Sequence, residues 1–399
     1  MEQNRQQLPA LTGMRFFLAL WIVVYHQRPP LNSILPAWPD LCHALESTLK
    51  TGYSAVGIFF VLSGFVLAYN YDLQRICRPT AIARFGAARF SRIYPAYLIG
   101  LVLLIPTTLY RFFSGLIDSY DMGWETGAFF ANLLLLQAWI PDMALSWNYP
   151  GWSLSNEASF YTAFPFIGSW LSRLNRISTL LKAGSLFWVL ALVAPLLAVW
   201  IPIPHFGRAP ATDIELPNAG LWANVIRYNP LLRLPDFCLG MVLAQVFRRV
   251  PRQNRLWRFG PWFYLPASTF ALLAYATADH IPFPLMHNGL LLPLYACIVF
   301  GLALNGGPLA HLLSTRPMVF LGNVSYSMYI LHVPIYTWLG LAFKHILHRS
   351  HEGWIWFVCY VLAVIIGSSV FYQFIEEPAH KFLRTRLSRM VPHPAGTPV

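Results

Sequence analysis

Eleven apolar runs dominate the sequence, and they constrain its fold more than any other feature. A run of about 20 apolar residues is long enough for an α-helix to cross a membrane. Hydrophobic residues make up 56% of the 399 residues and charged residues only 11%, against about 25% charged in a soluble domain. We therefore predict an all-α, polytopic membrane bundle. The runs lie at about residues 11–27, 53–71, 93–112, 126–140, 152–171, 184–201, 231–247, 261–278, 289–304, 319–341 and 354–374.

The loops between these runs predict the topology. Basic residues cluster in 72–92, in 248–258 and in the C-terminal tail, and such loops stay cytoplasmic. Loops 29–52 and 113–125 are acidic and suit the outer side. This basic clustering accounts for the net charge of +12 without nucleic-acid binding.

Both termini are then predicted to be cytoplasmic. Arg173 and Arg176 also lie in a basic loop, which leaves room for one crossing after residue 125. We therefore expect ten membrane helices and assign 126–140 as a re-entrant or interfacial helix. A single membrane domain is expected over 1–386, with a flexible cytoplasmic tail over 387–399. The five scattered cysteines indicate neither a metal site nor a disulfide framework.

Arg15 and His26 are a charged and a titratable residue in the first apolar run. They are eleven residues apart, which places them about 20° apart in azimuth and roughly 16 Å apart along one helix face. Polar groups at such positions are costly and often functional, although each alone also fits an interface position. Arg89 and Arg92 share a helix face at the entrance of the third span. With Arg15 they form a candidate clamp for a pyrophosphate or phosphate group.

Further polar residues mark other spans. Glu157 is a carboxylate in an apolar helix, and a contact with His26 is the obvious expectation, because it would orient and stabilise the imidazole. A structural hydrogen bond is the alternative for Glu157. His332 belongs to a polar stripe that either lines a cavity or packs. Weaker candidates for hydrogen-bond donors to substrate or to an oxyanion are Ser63, Ser153 and Asn156.

Six segments occur in an order that resembles the acyltransferase family 3 of membrane O-acyltransferases. They are "LTGMRFFLALWIVVYH", "VGIFFVLSGFVLA", "RFSRIYPAYL", "WSLSNEASFY", "LGNVSYSMYILHVPI" and "IEEPAHKFL". The resemblance runs from about residue 8 to 386 and is to the stand-alone branch, which has no C-terminal hydrolase-like domain. It implies a ten-span enzyme of a bacterial cytoplasmic (inner) membrane.

The resemblance also implies the chemistry. The donor is acetyl-CoA or another acyl-CoA, and the acceptor is a hydroxyl of a glycan, a lipid-linked saccharide or a related molecule at or across the membrane. By matching motifs, Arg15, Arg89 and Arg92 bind the donor, and His26 and Glu157 are catalytic, with His332 at a motif position of less certain role. No metal is implied, and the other expected partner is membrane lipid. A transporter or flippase of a lipid-linked glycan, with Arg and Glu in a gated ion network, is the alternative. A sensor with degenerate motifs is a third reading.

Overall fold

The computed structural model describes residues 7–33, 36–116, 118–201, 207–212, 220–250, 258–348 and 352–390. Those residues form helices and no strands, as the apolar pattern predicts. We number the α-helices in chain order. They are α1 Pro9–His26, α2 Pro39–Lys50, α3 Ala55–Asn70, α4 Pro79–Val102, α5 Ile105–Phe113, α6 Ser119–Leu133, α7 Trp152–Ser172, α8 Ile177–Trp200, α9 Leu221–Tyr228, α10 Pro230–Arg249, α11 Gly260–Ala276, α12 Phe283–His287, α13 Leu292–Ala303, α14 Pro308–Leu313, α15 Arg316–His345, α16 Gly353–Phe371 and α17 Glu377–Met390.

Eight helical segments of the described chain are long and apolar enough to cross a membrane. They are Pro9–His26, Pro39–Asn70, Pro79–Phe113, Ile177–Trp200, Leu221–Arg249, Phe283–Ala303, Arg316–His345 and Gly353–Leu387. Two more helices fall just short of this length or apolar character. The 21-residue α7 carries polar residues in its first turns, and α11 has 17 residues, slightly less than a full crossing. The eight segments with α7 and α11 account for about ten crossings in a multi-pass integral membrane protein.

The run predicted at 126–140 does not continue as one helix. Helix α6 has 15 residues and ends at Leu133, and short 3-10 turns follow at Gln137–Trp139, Pro141–Met143 and Tyr149–Gly151. A 15-residue helix is about 22 Å long, too short to cross the roughly 30 Å hydrocarbon core. This segment therefore matches the predicted non-crossing helix.

The basic loops meet at one end of the bundle. The Arg248 guanidinium donates to the Tyr71 carbonyl oxygen over 3.3 Å, and Arg249 donates to the Leu174 carbonyl oxygen over 2.7 Å. The loops that follow α3, α7 and α10 are thus on one side, as their charge predicts. Their assignment to the cytoplasm remains a prediction. Helix α17 also continues to Met390, so residues 387–390 of the predicted flexible tail are helical, and 391–399 lie outside the described residues.

Glycines allow two pairs of helices to cross at short range. A Cβ on Gly64 of α3 would lie 1.9 Å from the Phe237 carbonyl oxygen of α10, and one on Gly322 of α15 would lie 2.0 Å from the Thr12 carbonyl oxygen of α1. Small residues are the usual means of close helix approach in membranes. One crossing packs α3 against α10 and the other packs α15 against α1, and α1, α3 and α15 all line the interior in which the polar residues are found.

A buried ion pair lies outside this interior. Arg233 and Asp236 of α10 are each 1% exposed, and the Arg233 guanidinium lies 3.0 Å from the Asp236 carboxylate. Arg233 also donates to the His287 carbonyl oxygen over 2.6 Å and to the Asn288 side-chain oxygen. These bonds connect α10 to the end of α12 and to the residue that follows it, so the pair has a clear structural role.

Candidate active site

A cavity of about 160 Å³ lies between α1, α3, α4, α7 and α15. Its wall includes Arg15, Arg89, Arg92 and Glu157. The lining positions on α3 begin at Val56 and end at Leu67, a helix rise of roughly 16 Å. The structure therefore brings together the three predicted clamp arginines, which are far apart in sequence.

The arginines of the cavity differ in their partners. Arg92 lies 2.7 Å from a carboxylate oxygen of Glu376, which is 1% exposed. Among the described residues, no carboxylate oxygen lies within 4.0 Å of Arg15 or Arg89. Arg15 interacts at longer range with Glu157 and Glu376. Arg15 and Arg89 are consequently the cations that can take an anionic ligand without breaking an ion pair.

Glu376 is a site residue that the sequence reasoning missed. It ends the π-helical turn Tyr372–Glu376, just before Pro378. Pro378 has no N–H group to donate to the helix, and single π turns inside helices are frequent at functional sites. Glu376 also accepts a hydrogen bond from the Ser327 hydroxyl. One sequence signal could have identified Glu376. Like Glu157, it is a carboxylate in an apolar run, within "FIEEP".

Glu157 lies on the cavity wall and not beside His26. Its carboxylate accepts a hydrogen bond of 2.6 Å from the Tyr161 hydroxyl, and it also interacts with Ser63, Arg15 and Arg89. The expected contact between Glu157 and His26 is therefore wrong. The reason is the depth at which α7 begins, because the 3-10 turns before it fold back into the bundle.

His332 is the side chain that meets His26. His26 Nδ1 lies 3.2 Å from His332 Nε2, and their ring centroids are 4.9 Å apart. The Tyr149 ring, in the turn before α7, lies 4.8 Å from the His26 ring. His332 is fully buried, whereas His26 is half-buried at the end of α1. His26 thus has a histidine as its side-chain partner, where a carboxylate was expected.

Carbonyl oxygens determine the tautomers of the two neutral imidazoles. His332 Nδ1 lies 2.8 Å from the Tyr329 carbonyl oxygen, which only accepts, so Nδ1 carries the proton and Nε2 has the lone pair. His26 Nδ1 lies 2.9 Å from the Ile22 carbonyl oxygen and faces the His332 lone pair. Its two neighbours are acceptors, so His26 Nδ1 carries the proton. The lone pair of His26 is therefore on Nε2.

The three weaker candidates for hydrogen-bond donors to substrate or to an oxyanion have different surroundings. Ser63 and Ser153 line the cavity, and Asn156 does not. Ser153 Oγ lies 2.7 Å from the Tyr329 hydroxyl and donates to the Pro150 carbonyl oxygen. Asn156 is completely buried, and neither polar atom of its side chain has a partner among the described residues. Ser63 is thus the candidate that shares the cavity with both Glu157 and the arginines.

The fold and this site define a multi-pass membrane protein with a cationic interior cavity. The family model described as "Acyltransferase domain" matches residues 8–373. The chain therefore belongs to the acyltransferase 3 family, as its motifs predict, and it is a membrane acyltransferase.

Similar proteins extend over nearly the whole chain. Acyltransferase MdmB of Streptomyces mycarofaciens is 27% identical over 98% of this chain and 96% of its own length. Peptidoglycan O-acetyltransferase OatA of Listeria monocytogenes is 25% identical over 95% of this chain, and O-acetyltransferase OatA of Staphylococcus aureus is 24% identical over 94%. The matches span 56% and 57% of the two OatA proteins. No solved structure matches the chain.

Proposed function

We propose that the protein transfers an acyl group, most simply acetyl, from a cytoplasmic acyl-CoA to a hydroxyl of a glycan at the outer side of a bacterial cytoplasmic membrane. One observation carries the proposal. The arginine-lined cavity extends to Tyr329, whose carbonyl oxygen holds His332 beside His26, and the half-buried His26 has a lone pair on Nε2. The O-acetyltransferase names of two relatives support an acetyl group, and one of those names specifies peptidoglycan as acceptor.

Arg15 and Arg89 are suited to hold the phosphates of the donor. A guanidinium group binds phosphate through two parallel hydrogen bonds. Arg92 is held by Glu376 at 2.7 Å. It therefore contributes to donor binding through the shape of the cavity and its electrostatic field. Three arginines and the two carboxylates Glu157 and Glu376 leave one net positive charge, which favours an anionic ligand.

His26 is the proposed general base. The acceptor oxygen attacks the thioester carbonyl carbon, and its proton passes to His26 Nε2. The C–S bond then breaks while the ester C–O bond remains, and His26 returns the proton to the departing thiolate. A positioned base contributes about 10² to 10⁴-fold to such a step. His332 acts as a positioning residue, because it holds His26 through Nδ1 and leaves Nε2 towards substrate.

Glu157 has a different proposed role from the one the sequence suggested. Its bond with Tyr161 and its proximity to Arg15 and Arg89 support a role in fixing the arginines and balancing their charge. Ser63, beside Glu157, is the proposed polar contact for the carbonyl end of the donor. These assignments separate donor binding, at the arginines, from proton transfer, at the histidines.

The test uses purified protein in nanodiscs. We expect binding of acetyl-CoA and release of its thiol when solubilised peptidoglycan fragments are added as acceptor. Arg89→Ala should weaken binding at least tenfold, and His26→Ala should bind normally but lose turnover. Arg111→Ala is the matched control, because Arg111 is exposed on α5 and pairs with Glu125. If the wild-type protein binds no acyl-CoA, the proposal fails, and transport of a glycan becomes the function to test.

A further inference from the structure

Two hydroxyl groups meet in the cavity wall between α7 and α15. The Tyr329 hydroxyl and Ser153 Oγ are 2.7 Å apart, and each also lies 3.0 Å from the Pro150 carbonyl oxygen. Both side chains line the cavity and are otherwise buried. The hydrogen bonds hold the Tyr329 ring across the cavity between α7 and α15.

The histidine pair lies next to these two hydroxyl groups. The Tyr329 carbonyl oxygen accepts from His332 Nδ1 over 2.8 Å. Tyr149, the residue before Pro150, has its ring 4.8 Å from that of His26. Tyr329 therefore connects the cavity wall to the groups that we assign to proton transfer. We place the reacting end of a donor against it.

Part of the wall near Tyr329 is apolar. Val56 and Phe59 of α3 and Leu154 of α7 line the cavity, and the Phe59 and Tyr329 ring centroids are 6.4 Å apart. Val56 lies on the turn of α3 farthest from Leu67, on the side away from the basic loops. The arginines contribute to the other part of the wall, where Arg92 lies near the Tyr326 ring. This part of the cavity thus suits an uncharged, apolar group such as a short acyl chain.

We infer that Tyr329, held by Ser153, limits the length of the acyl chain that the enzyme accepts. This inference rests on the proposed function, because it assumes an acyl thioester in the cavity. An acetyl group ends in one methyl group in front of the Tyr329 ring. A longer chain has to displace the ring and break its bonds to Ser153 and to the Pro150 carbonyl oxygen. One methylene group that a pocket cannot accommodate costs roughly 10- to 200-fold in specificity.

The experiment compares acetyl-, butyryl- and hexanoyl-CoA. Each thioester competes with radiolabelled acetyl-CoA for the protein in nanodiscs, with empty nanodiscs correcting for partition into lipid. Wild-type protein should bind acetyl-CoA at least 100-fold more tightly than hexanoyl-CoA. Tyr329→Ala should reduce that ratio at least tenfold, and Ser153→Ala, a milder change, should reduce it several-fold. The kcat/KM ratios for thiol release should move in the same direction.

Tyr326→Ala is the control for removing a phenol ring from the same wall. Tyr326 lies by Arg92, and its hydroxyl donates to the Ile93 carbonyl oxygen over 2.5 Å. Loss of the Tyr326 ring should weaken the binding of all three thioesters equally and leave the ratio of their affinities unchanged. The inference is overturned if wild-type protein shows no preference for chain length. It is also overturned if Tyr329→Ala and Ser153→Ala both bind acetyl-CoA and keep the wild-type ratio of acetyl-CoA to hexanoyl-CoA affinity. Failure of the wild-type protein to bind any of the thioesters overturns the proposed function as well.

Discussion

Replacement of His332 tests how His26 is held in the reactive tautomer. In the structure, His26 Nδ1 has two acceptors, His332 Nε2 at 3.2 Å and the Ile22 carbonyl oxygen at 2.9 Å. His332→Phe removes the first and leaves the second. A neutral hydrogen bond contributes about 0.5–1.5 kcal/mol, and about 1.4 kcal/mol corresponds to a tenfold change in rate. We therefore expect kcat to fall about two- to tenfold.

The expected fall in kcat distinguishes a neutral hydrogen-bond partner of His26 from a catalytic carboxylate. Loss of the carboxylate that orients a triad histidine costs about 10⁴-fold, because the wrong tautomer results. Here the Ile22 carbonyl oxygen still selects the tautomer, so the loss should be far smaller. His332→Gln, whose amide oxygen is an acceptor, should recover part of the rate.

The assay is thiol release from saturating acetyl-CoA, with peptidoglycan fragments as acceptor and thermal unfolding as a check on folding. A well-folded His332→Phe protein that loses more than 10³-fold in kcat would refute the reasoning, since His332 would then take part in the chemistry. An unchanged kcat would show that the contact with His26 has no role in the reaction.

Three further predictions concern stability, measured as the thermal or denaturant midpoint in detergent. Glu376→Gln should destabilise the protein by about 1.5–3 kcal/mol, because it removes the charge from a buried carboxylate that is hydrogen-bonded to Arg92, whereas Glu377→Gln, which breaks an exposed pair, should cost under 1 kcal/mol. Gly64→Ala should cost about 1–3 kcal/mol or more, since its Cβ would lie 1.9 Å from a backbone oxygen, whereas Gly86→Ala meets nothing within 4 Å and should be neutral or stabilising. Arg233→Met should cost about 3–5 kcal/mol, because it leaves a buried carboxylate unpaired. Equal effects within either matched pair, or an unaffected Arg233→Met protein, would contradict these assignments.

Local sequence pattern determined much of the architecture. The apolar runs specify helices, because in hydrocarbon a backbone satisfies its hydrogen bonds internally. Charge in the loops predicted which loops share an end, and the contacts of Arg248 and Arg249 agree. The length and the interruption of 126–140 identified a helix that does not cross.

The position of the three arginines on one cavity wall was predictable for a similar reason. Arg89 and Arg92 are one turn apart, so helix geometry alone puts them on one face. Arg15 joins them because all three lie on the side of the bundle nearer the basic loops. Charge and periodicity are local properties, and they are readable without knowing which helices touch.

The partners of the polar side chains were decided by tertiary structure alone. The depth of Glu157 depends on the 3-10 turns before α7, which no periodicity describes, and so the carboxylate faces Arg15 and Tyr161. His332 reaches His26 because α1 and α15 cross closely at Gly322, and Glu376 reaches Arg92 through a π turn in another helix. A sequence specifies which face of a helix carries a polar group. The pairing of two such faces depends on the depth, rotation and crossing angle of whole helices, which packing throughout the bundle determines together.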